Sequence, residues 1–294
     1  MKKLGIVCPR GGGDIIIVLP IAKWYYDLGY EIHWVIDKIY YDTFVLACPW
    51  INFIKISPDE EDQGPLYGNI FNSYWCEKPV ELLKELNCEP IFRFLYEDIK
   101  YKIPGTERRI QDDPLSIKAF QSRLPLFKGF DSYRYAYSNV PFINKWSLSS
   151  CIERQKDRED SLFNKVITEN KPHAVFHLVQ GAGGANRVNI DKNQFIKSIG
   201  FDPEEIQCVE IEQLTDNALD WLKIIETSEL YVGLDSMFSN MVDQMLFTNK
   251  KYFIRLNELA YCPIFGSNWD YIPIELPTDS QLERRQYADR RPNK

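Results

Sequence analysis

The run LGIVCPRGGGDIIIVLP, Leu4 to Pro20, decides how this chain is read. LGIVCP (Leu4–Pro9) has the composition of a short buried strand. Gly11, Gly12 and Gly13 lead into Asp14, and an apolar helical pattern runs from Asp14 to Leu28. Gly29 follows, placed for the left-handed residue that ends a helix. Pro20 falls inside the helical pattern and should kink it. Strand, glycine turn and helix in that order open a Rossmann-like unit. The acid is the unusual part. A glycine loop before a helix binds phosphate through backbone N–H groups, and a carboxylate works against that. Asp14 is open to three readings: a helix cap, part of a nucleotide grip, or a general base.

The alternation continues outward from this stretch. YEIHWVID (Tyr30–Asp37) reads as a second strand, Tyr40–Cys48 as a short helix and INFIKI (Ile51–Ile56) as a third strand. SPDEEDQGP (Ser57–Pro65) is an acidic loop, and PVELLKEL (Pro79–Leu86) a helix with proline near its first position. Ile99 to Trp146 is less regular and rich in aromatics. A helical run, Glu153–Thr168, precedes the strand HAVFHLVQ (His173–Gln180), which enters GAGGANR, a second glycine loop after a strand. Strand Ile206–Ile211, helix Asn217–Glu226, strand Glu229–Gly233, helix Ser236–Leu246 and strand Lys251–Leu256 follow. The predicted fold class is α/β, with Rossmann-like domains at 1–150 and 151–294 dividing near residues 148–158. The C-terminal segment could pack back on the first domain. Ligands in such sheets sit at the carboxyl ends of the strands, so two facing domains make an interdomain cleft.

A chain of 294 residues, 45% of them hydrophobic, suits two cores. Its net charge of −7 gives no general attraction to nucleic acid or to an anionic membrane. The seven cysteines form no C-x-x-C pair and only three histidines are present. Reduced thiols in a cytoplasmic protein are expected, with no metal site. No signal peptide and no apolar run near the ~20 residues of a membrane span is seen.

Several chemistries lack their signatures. GGGD is not G-x-G-x-x-G, although Asp37 at the end of a strand keeps a weak dinucleotide reading. There is no P-loop, no G-x-S-x-G elbow and no D-x-D metal clamp. The sharpest local signal is ELYVGLDSMFSNMVDQM (Glu229–Met245), where a strand ends at Gly233 and Asp235 and Ser236 mark a helix start. Such a start is an anion site, or Asp235 or Ser236 is a plain N-cap.

Three segments in order resemble the bacterial heptosyltransferase-like glycosyltransferases. GGGDIIIVLPIAKWYYDLGYEIHWVID resembles the family's opening, with Gly-Asp, an aliphatic run with proline, then a strand. ELYVGLDSMFSN resembles its donor motif Gly-x-Asp-Thr-Gly, followed three residues on by His. FHLVQGAGGANRVNIDKNQFIKSI (Phe176–Ile199) resembles the strand, loop and lysine that grip the donor diphosphate.

The resemblance implies a GT-B fold, with a nucleotide-diphosphate sugar held by the second domain and the acceptor by the first. Transfer would be inverting and metal-independent, with the nucleotide sugar as co-substrate and no cofactor. Asp14 matches the family's catalytic base, Asp235 and Ser236 its Asp-Thr pair, and Lys192 its diphosphate lysine. Met237 stands where the family has Gly, and Asn240 where it has His. That glycine leaves room for the donor.

In this reading Ser236, the Gly181–Gly184 backbone, Arg187 and Lys192 carry the departing diphosphate. Gln180, Asn186, Gly233 and Asn240 complete the donor side. Glu212 could bind ribose hydroxyls, or be a solvated strand-end charge. His33 reads as packed in its strand. His177 shares a face with His173 and could reach the cleft.

The acceptor side would comprise Arg10, Gly11, Gly12, Gly13, Arg108 and Arg109, the glycines letting the acceptor approach the backbone. Ile99–Lys145 holds 9 basic and 4 acidic residues among many aromatics. Such a segment could hold an anionic glycan, surface polysaccharide or lipid-linked, or be a solvated face over a local core. A viral sugar transferase acting on modified DNA bases is an alternative. A non-catalytic sugar-nucleotide-binding protein of the same fold is another.

Overall fold

The computed structural model describes residues 1–9, 11–57, 73–94, 130–180, 186–255, 266 and 268–273. Two parallel sheets with helices on their faces make up the described chain. The first sheet has β1 (Lys2–Val7), β2 (Tyr30–Asp37), β3 (Ile51–Ile56) and β4 (Ile91–Arg93) in the order β3-β2-β1-β4. All of its pairs are parallel. Its central strands are apolar on both faces because both faces are covered.

The first helix, α1, is Gly12–Asp27. Ile15 to Ala22 are all buried, so the helix is apolar all round and lies inside the molecule. It packs on the first sheet, on a 3-10 segment at Phe142–Ser150, and on the helix Met237–Gln244 of the second half. Pro20 lies within one assigned helix, which runs through it to Asp27. Tyr135 Oη donates to the Ile17 carbonyl in that stretch at 3.0 Å. Gly29 closes the turn at φ 87°, as its position requires. Asp37 proves to be a cap: its side chain accepts from Ile39 N at 3.2 Å and starts α2 (Lys38–Ala47). The expected helix at Pro79 starts earlier. As α3 it spans Ser73–Glu85, and Pro79 lies inside it. The irregular segment contributes α4 (Phe130–Tyr137) and the 3-10 segment.

The second sheet has β5 (His173–His177), β8 (Gln207–Glu210), β9 (Leu230–Gly233), β10 (Lys250–Arg255) and β11 (Trp269–Pro273) in the order β11-β10-β9-β5-β8. All its pairs are parallel. A two-stranded antiparallel ribbon, β6 (Val179–Gln180) with β7 (Asn186–Arg187), stands at the end of β5. The helices are α5 (Lys156–Val166), α6 (Lys192–Ser198), α7 (Leu222–Glu226) and α8 (Met237–Gln244). The chain between the sheets is tied to the first half, since Trp50 Nε1 donates to the Cys151 carbonyl at 2.9 Å and Glu153 N to the Ala47 carbonyl at 2.7 Å. Among the described residues no helix is long and apolar enough to cross a membrane.

Candidate active site

Asp14 lies in the first turn of α1, the helix that packs against α8 of the second half. Its Oδ1 is 2.5 Å from Arg134 Nη2, and its backbone carbonyl accepts from Arg134 Nη1 at 3.3 Å. Arg134 is 2% exposed and Asp14 30%, so a buried guanidinium holds a carboxylate that still reaches solvent. The other oxygen, Oδ2, lies over Gly11. A Cβ on Gly11 would sit 2.3 Å from it, and the backbone there has φ 85°. Both facts demand glycine.

Gly12 and Gly13 lie against α8. A methyl on Gly12 would sit 2.7 Å from Met237 Sδ, and one on Gly13 would sit 3.3 Å from Asn240 Nδ2. The two glycines leave room for the start of α8. Met237 fills the place between the two helix starts.

Behind Asp14 lies a buried ionic cluster. Lys145 Nζ is 2.7 Å from Asp131 Oδ2 and 3.4 Å from Asp243 Oδ2, and none of the three is more than 1% exposed. Asp243 also accepts from Trp146 Nε1 at 2.9 Å, Trp269 Nε1 at 2.9 Å and Gly266 N at 2.8 Å. Asp243 is on α8 and Lys145 on the segment beside α1, so this cluster fastens the two halves together. Arg134 and Lys145, two of the nine basic residues in Ile99–Lys145, are held inside by carboxylates. Only the rest of that segment is left to attract an anion.

Asp235 faces the same cluster from the second half. Burial pushes its pKa up to about 7, and the carboxylates of Asp14 and Asp131 add to the rise. Lys145 and the Asn240 side chain oppose it. Ser236 is the N-cap of α8, its side chain accepting from Ser239 N at 3.3 Å. Asn240 is buried, and its Nδ2 donates to the Ser236 carbonyl at 2.9 Å. It belongs to this interface, while the wall of the cavity beyond is built by its neighbours Met237 and Phe238. Gly233 makes room inside the sheet: a Cβ there would meet Tyr231 Oη at 2.5 Å and Ser239 Oγ at 2.6 Å. Those two oxygens share a hydrogen bond of 3.0 Å.

A cavity of about 510 Å³ opens between the halves at the carboxyl ends of the strands. Ile39, Tyr40 and Thr43 of the first half wall one side. His177, Arg187, Glu210, Glu212, Met237 and Phe238 wall the other. Arg187 Nη2 reaches Glu210 Oε1 at 2.7 Å, and Lys192 Nζ pairs with Glu210 Oε2. Arg187 and Lys192 thus share Glu210, and Glu212 and Asp216 also line this side of the cavity. Glu212 is exposed on the rim. His177 is on the cavity; His173 is not, being buried with its Nε2 2.8 Å from the Ile224 carbonyl. His33 is packed mid-strand.

The expected residues therefore divide. Asp14, Asp235 and Asn240 meet at the junction of α1 and α8, and Arg187 and Glu212 line the second-half wall, with Lys192 joined to Arg187 through Glu210. Arg10, Gly181, Arg108 and Arg109 lie outside the described residues, as do the side chains of Gln180 and Asn186. Sequence reasoning missed Arg134, Asp131, Lys145, Asp243 and Glu210. Only Glu210 carried a signal, as an acid at the end of a strand opposite the glycine loop.

No protein-family profile matches the chain, and no curated protein does. Solved structures do. The Escherichia coli ADP-heptose lipopolysaccharide heptosyltransferase II superposes with a TM-score of 0.55 at 10% identity, covering 98% of each chain. The glycosyl transferase family 9 protein from Veillonella parvula gives 0.52 at 12% identity, covering 98% of this chain and 91% of that one. The fold is the one these proteins have, two Rossmann-like domains of the GT-B arrangement.

Proposed function

We propose that the chain is an inverting, metal-independent glycosyltransferase that moves a sugar from a nucleotide-diphosphate donor to a hydroxyl of an anionic glycan. One observation carries this reading. The cavity has Arg187 on its second-half wall, joined through Glu210 to Lys192, and Met237 of that wall abuts Gly12, two residues from Asp14. The fold shared with glycosyltransferases supports it, as both similar structures bear that name.

The chemistry follows from the charges. An acceptor hydroxyl is a poor nucleophile at neutral pH, so a carboxylate must take its proton as the new C–O bond forms. Asp14 is that base, oriented by Arg134 through Oδ1 with Oδ2 left for the proton. The bond from the anomeric carbon to the phosphate oxygen breaks, and its electron pair stays on the diphosphate. The departing charge is met by Arg187, Lys192 and the N–H groups at the start of α8. Attack and departure occur on opposite faces, which inverts the anomeric centre.

Thermal melting with UDP-, ADP- and GDP-sugars tests the donor site. A ligand that binds only the folded state raises the melting temperature. At least one of the three stabilises the wild type and the Asp14→Asn variant alike, and only the wild type turns it over. Stabilisation by none of them overturns the reading.

A further inference from the structure

The second sheet places β5 between β9 and β8, and His177 is the last residue of β5. It is in register with Gly233, and its carbonyl accepts from Leu234 N at 3.2 Å. On its β8 side stand Glu210 and the cations paired with it, Arg187 and Lys192. On its β9 side stand Asp235 and the start of α8, and its ring lies tilted against Phe238 with centroids 4.8 Å apart. An anion that touches both the cations and the α8 start must cross the end of β5.

The imidazole is built to meet such an anion as a neutral donor. Among the described residues its buried Nδ1 has no hydrogen-bond partner, while the ring lines the cavity. A buried N–H with no acceptor costs more than a bare lone pair, so the proton is assigned to Nε2, the nitrogen left to the cavity. Burial pushes the pKa of His177 down to about 4, with Glu210 opposing, so the ring is uncharged near neutral pH. Packing alone would not call for an imidazole at the mouth of a cavity beside Phe238.

We infer that His177 is a catalytic residue whose Nε2–H donates a hydrogen bond to the departing diphosphate. This rests on the donor reading given above. No proton is transferred: the acceptor proton goes to Asp14, the electron pair of the broken bond goes to the phosphate oxygen, and His177 shares its N–H with that oxygen.

Calorimetric titration with UDP, ADP and GDP, and with uridine, adenosine and guanosine, separates the possibilities. The proteins are wild type, His177→Leu and His177→Gln. For the diphosphate that the wild type binds, His177→Leu weakens binding about tenfold to a hundredfold, as loss of a hydrogen bond to a charged group does. His177→Gln, which keeps an N–H donor, recovers most of that loss, and the matching nucleoside binds all three proteins alike. Equal diphosphate binding by wild type and His177→Leu overturns the inference and leaves the donor site standing. Parallel losses for nucleoside and diphosphate in both variants also overturn it, since they mark a packing role. If the wild type binds none of the diphosphates, the donor reading falls and the inference with it.

Discussion

Arg134 grips Asp14 at two points, with Nη2 2.5 Å from the carboxylate Oδ1 and Nη1 3.3 Å from the backbone carbonyl. The two residues lie 120 positions apart in the sequence. A side-chain bond alone would allow the carboxylate to swing, but the second contact ties the guanidinium to the helix that carries it. The orientation of Oδ2 is therefore set by α4 and α1 together.

Loss of this grip should cost rate more than donor affinity. Arg134→Leu lowers turnover about a hundredfold, the scale of a misplaced catalytic group. Asp14→Asn lowers it by roughly 10²- to 10⁴-fold. In both, KM for the nucleotide sugar stays near the wild-type value, because neither residue is on the Arg187–Lys192 wall. Steady-state kinetics at saturating acceptor checks this, and a rise in donor KM with kcat unchanged would place Asp14 in the donor site.

The Lys145 cluster fixes the two halves in place. Lys145→Met strands Asp131 and Asp243 in the interior, a loss of about 3–5 kcal/mol of stability. Adding Asp131→Asn and Asp243→Asn to the variant removes the stranded charge and recovers part of that. Urea unfolding of the two variants measures the difference. A loss under about 1 kcal/mol for Lys145→Met would mean that water reaches the cluster.

Asp235 gives stability a defined pH dependence. Its pKa is raised from 3.8 to about 7, mainly by burial. Below pH 3.8 the group is neutral in the folded and the unfolded chain. Between pH 3.8 and about 7 the unfolded chain has lost the proton and the folded chain keeps it. Stability from this group therefore falls as pH rises through that window and is level above it. Asp235→Asn removes the slope and is more stable than wild type at pH 8 by roughly 2–4 kcal/mol. Unfolding free energies at pH 5 and pH 8 test this, and parallel pH curves for both proteins would contradict it.

Gly11 is needed for both its backbone and its lack of a side chain. Gly11→Ala must hold φ near 85° and push Asp14 Oδ2 from a position 2.3 Å away. The strain costs about 1–3 kcal/mol. Turnover falls further than the melting curve alone explains, because the displaced group is the base. A variant that melts lower yet keeps full activity would show that Oδ2 has no part in the reaction.

Much of this fold could be read from the chain because its rules are local. Strands and helices alternate in both halves and Gly29 ends α1 as expected, whereas Asp37, read only as the end of a strand, caps α2. The depth of α1 was also legible, since Ile15 to Leu19 is too apolar for a surface helix. The site was legible only where one residue stands at a strand end or helix start, as Asp14, Ser236 and Lys192 do. Arg134, Lys145 and Asp243 were not, because an ion pair between distant elements leaves no periodicity. Met237 was visible as a departure from the family's glycine, but its contact was not. It packs against Gly12, so the spare room at one helix start answers the bulk at the other. The packing of Gly12 and Gly13 against α8 was not legible either, because it joins elements far apart in sequence.

The central claim is that Asp14 faces the sugar from the side opposite the diphosphate. A crystal structure with an intact nucleotide sugar bound tests it most directly. The account predicts the diphosphate across Arg187, Lys192 and the start of α8, with the anomeric carbon turned toward Asp14 Oδ2. A donor seated outside the cavity, or one whose diphosphate lies between Asp14 and the anomeric carbon, would contradict it.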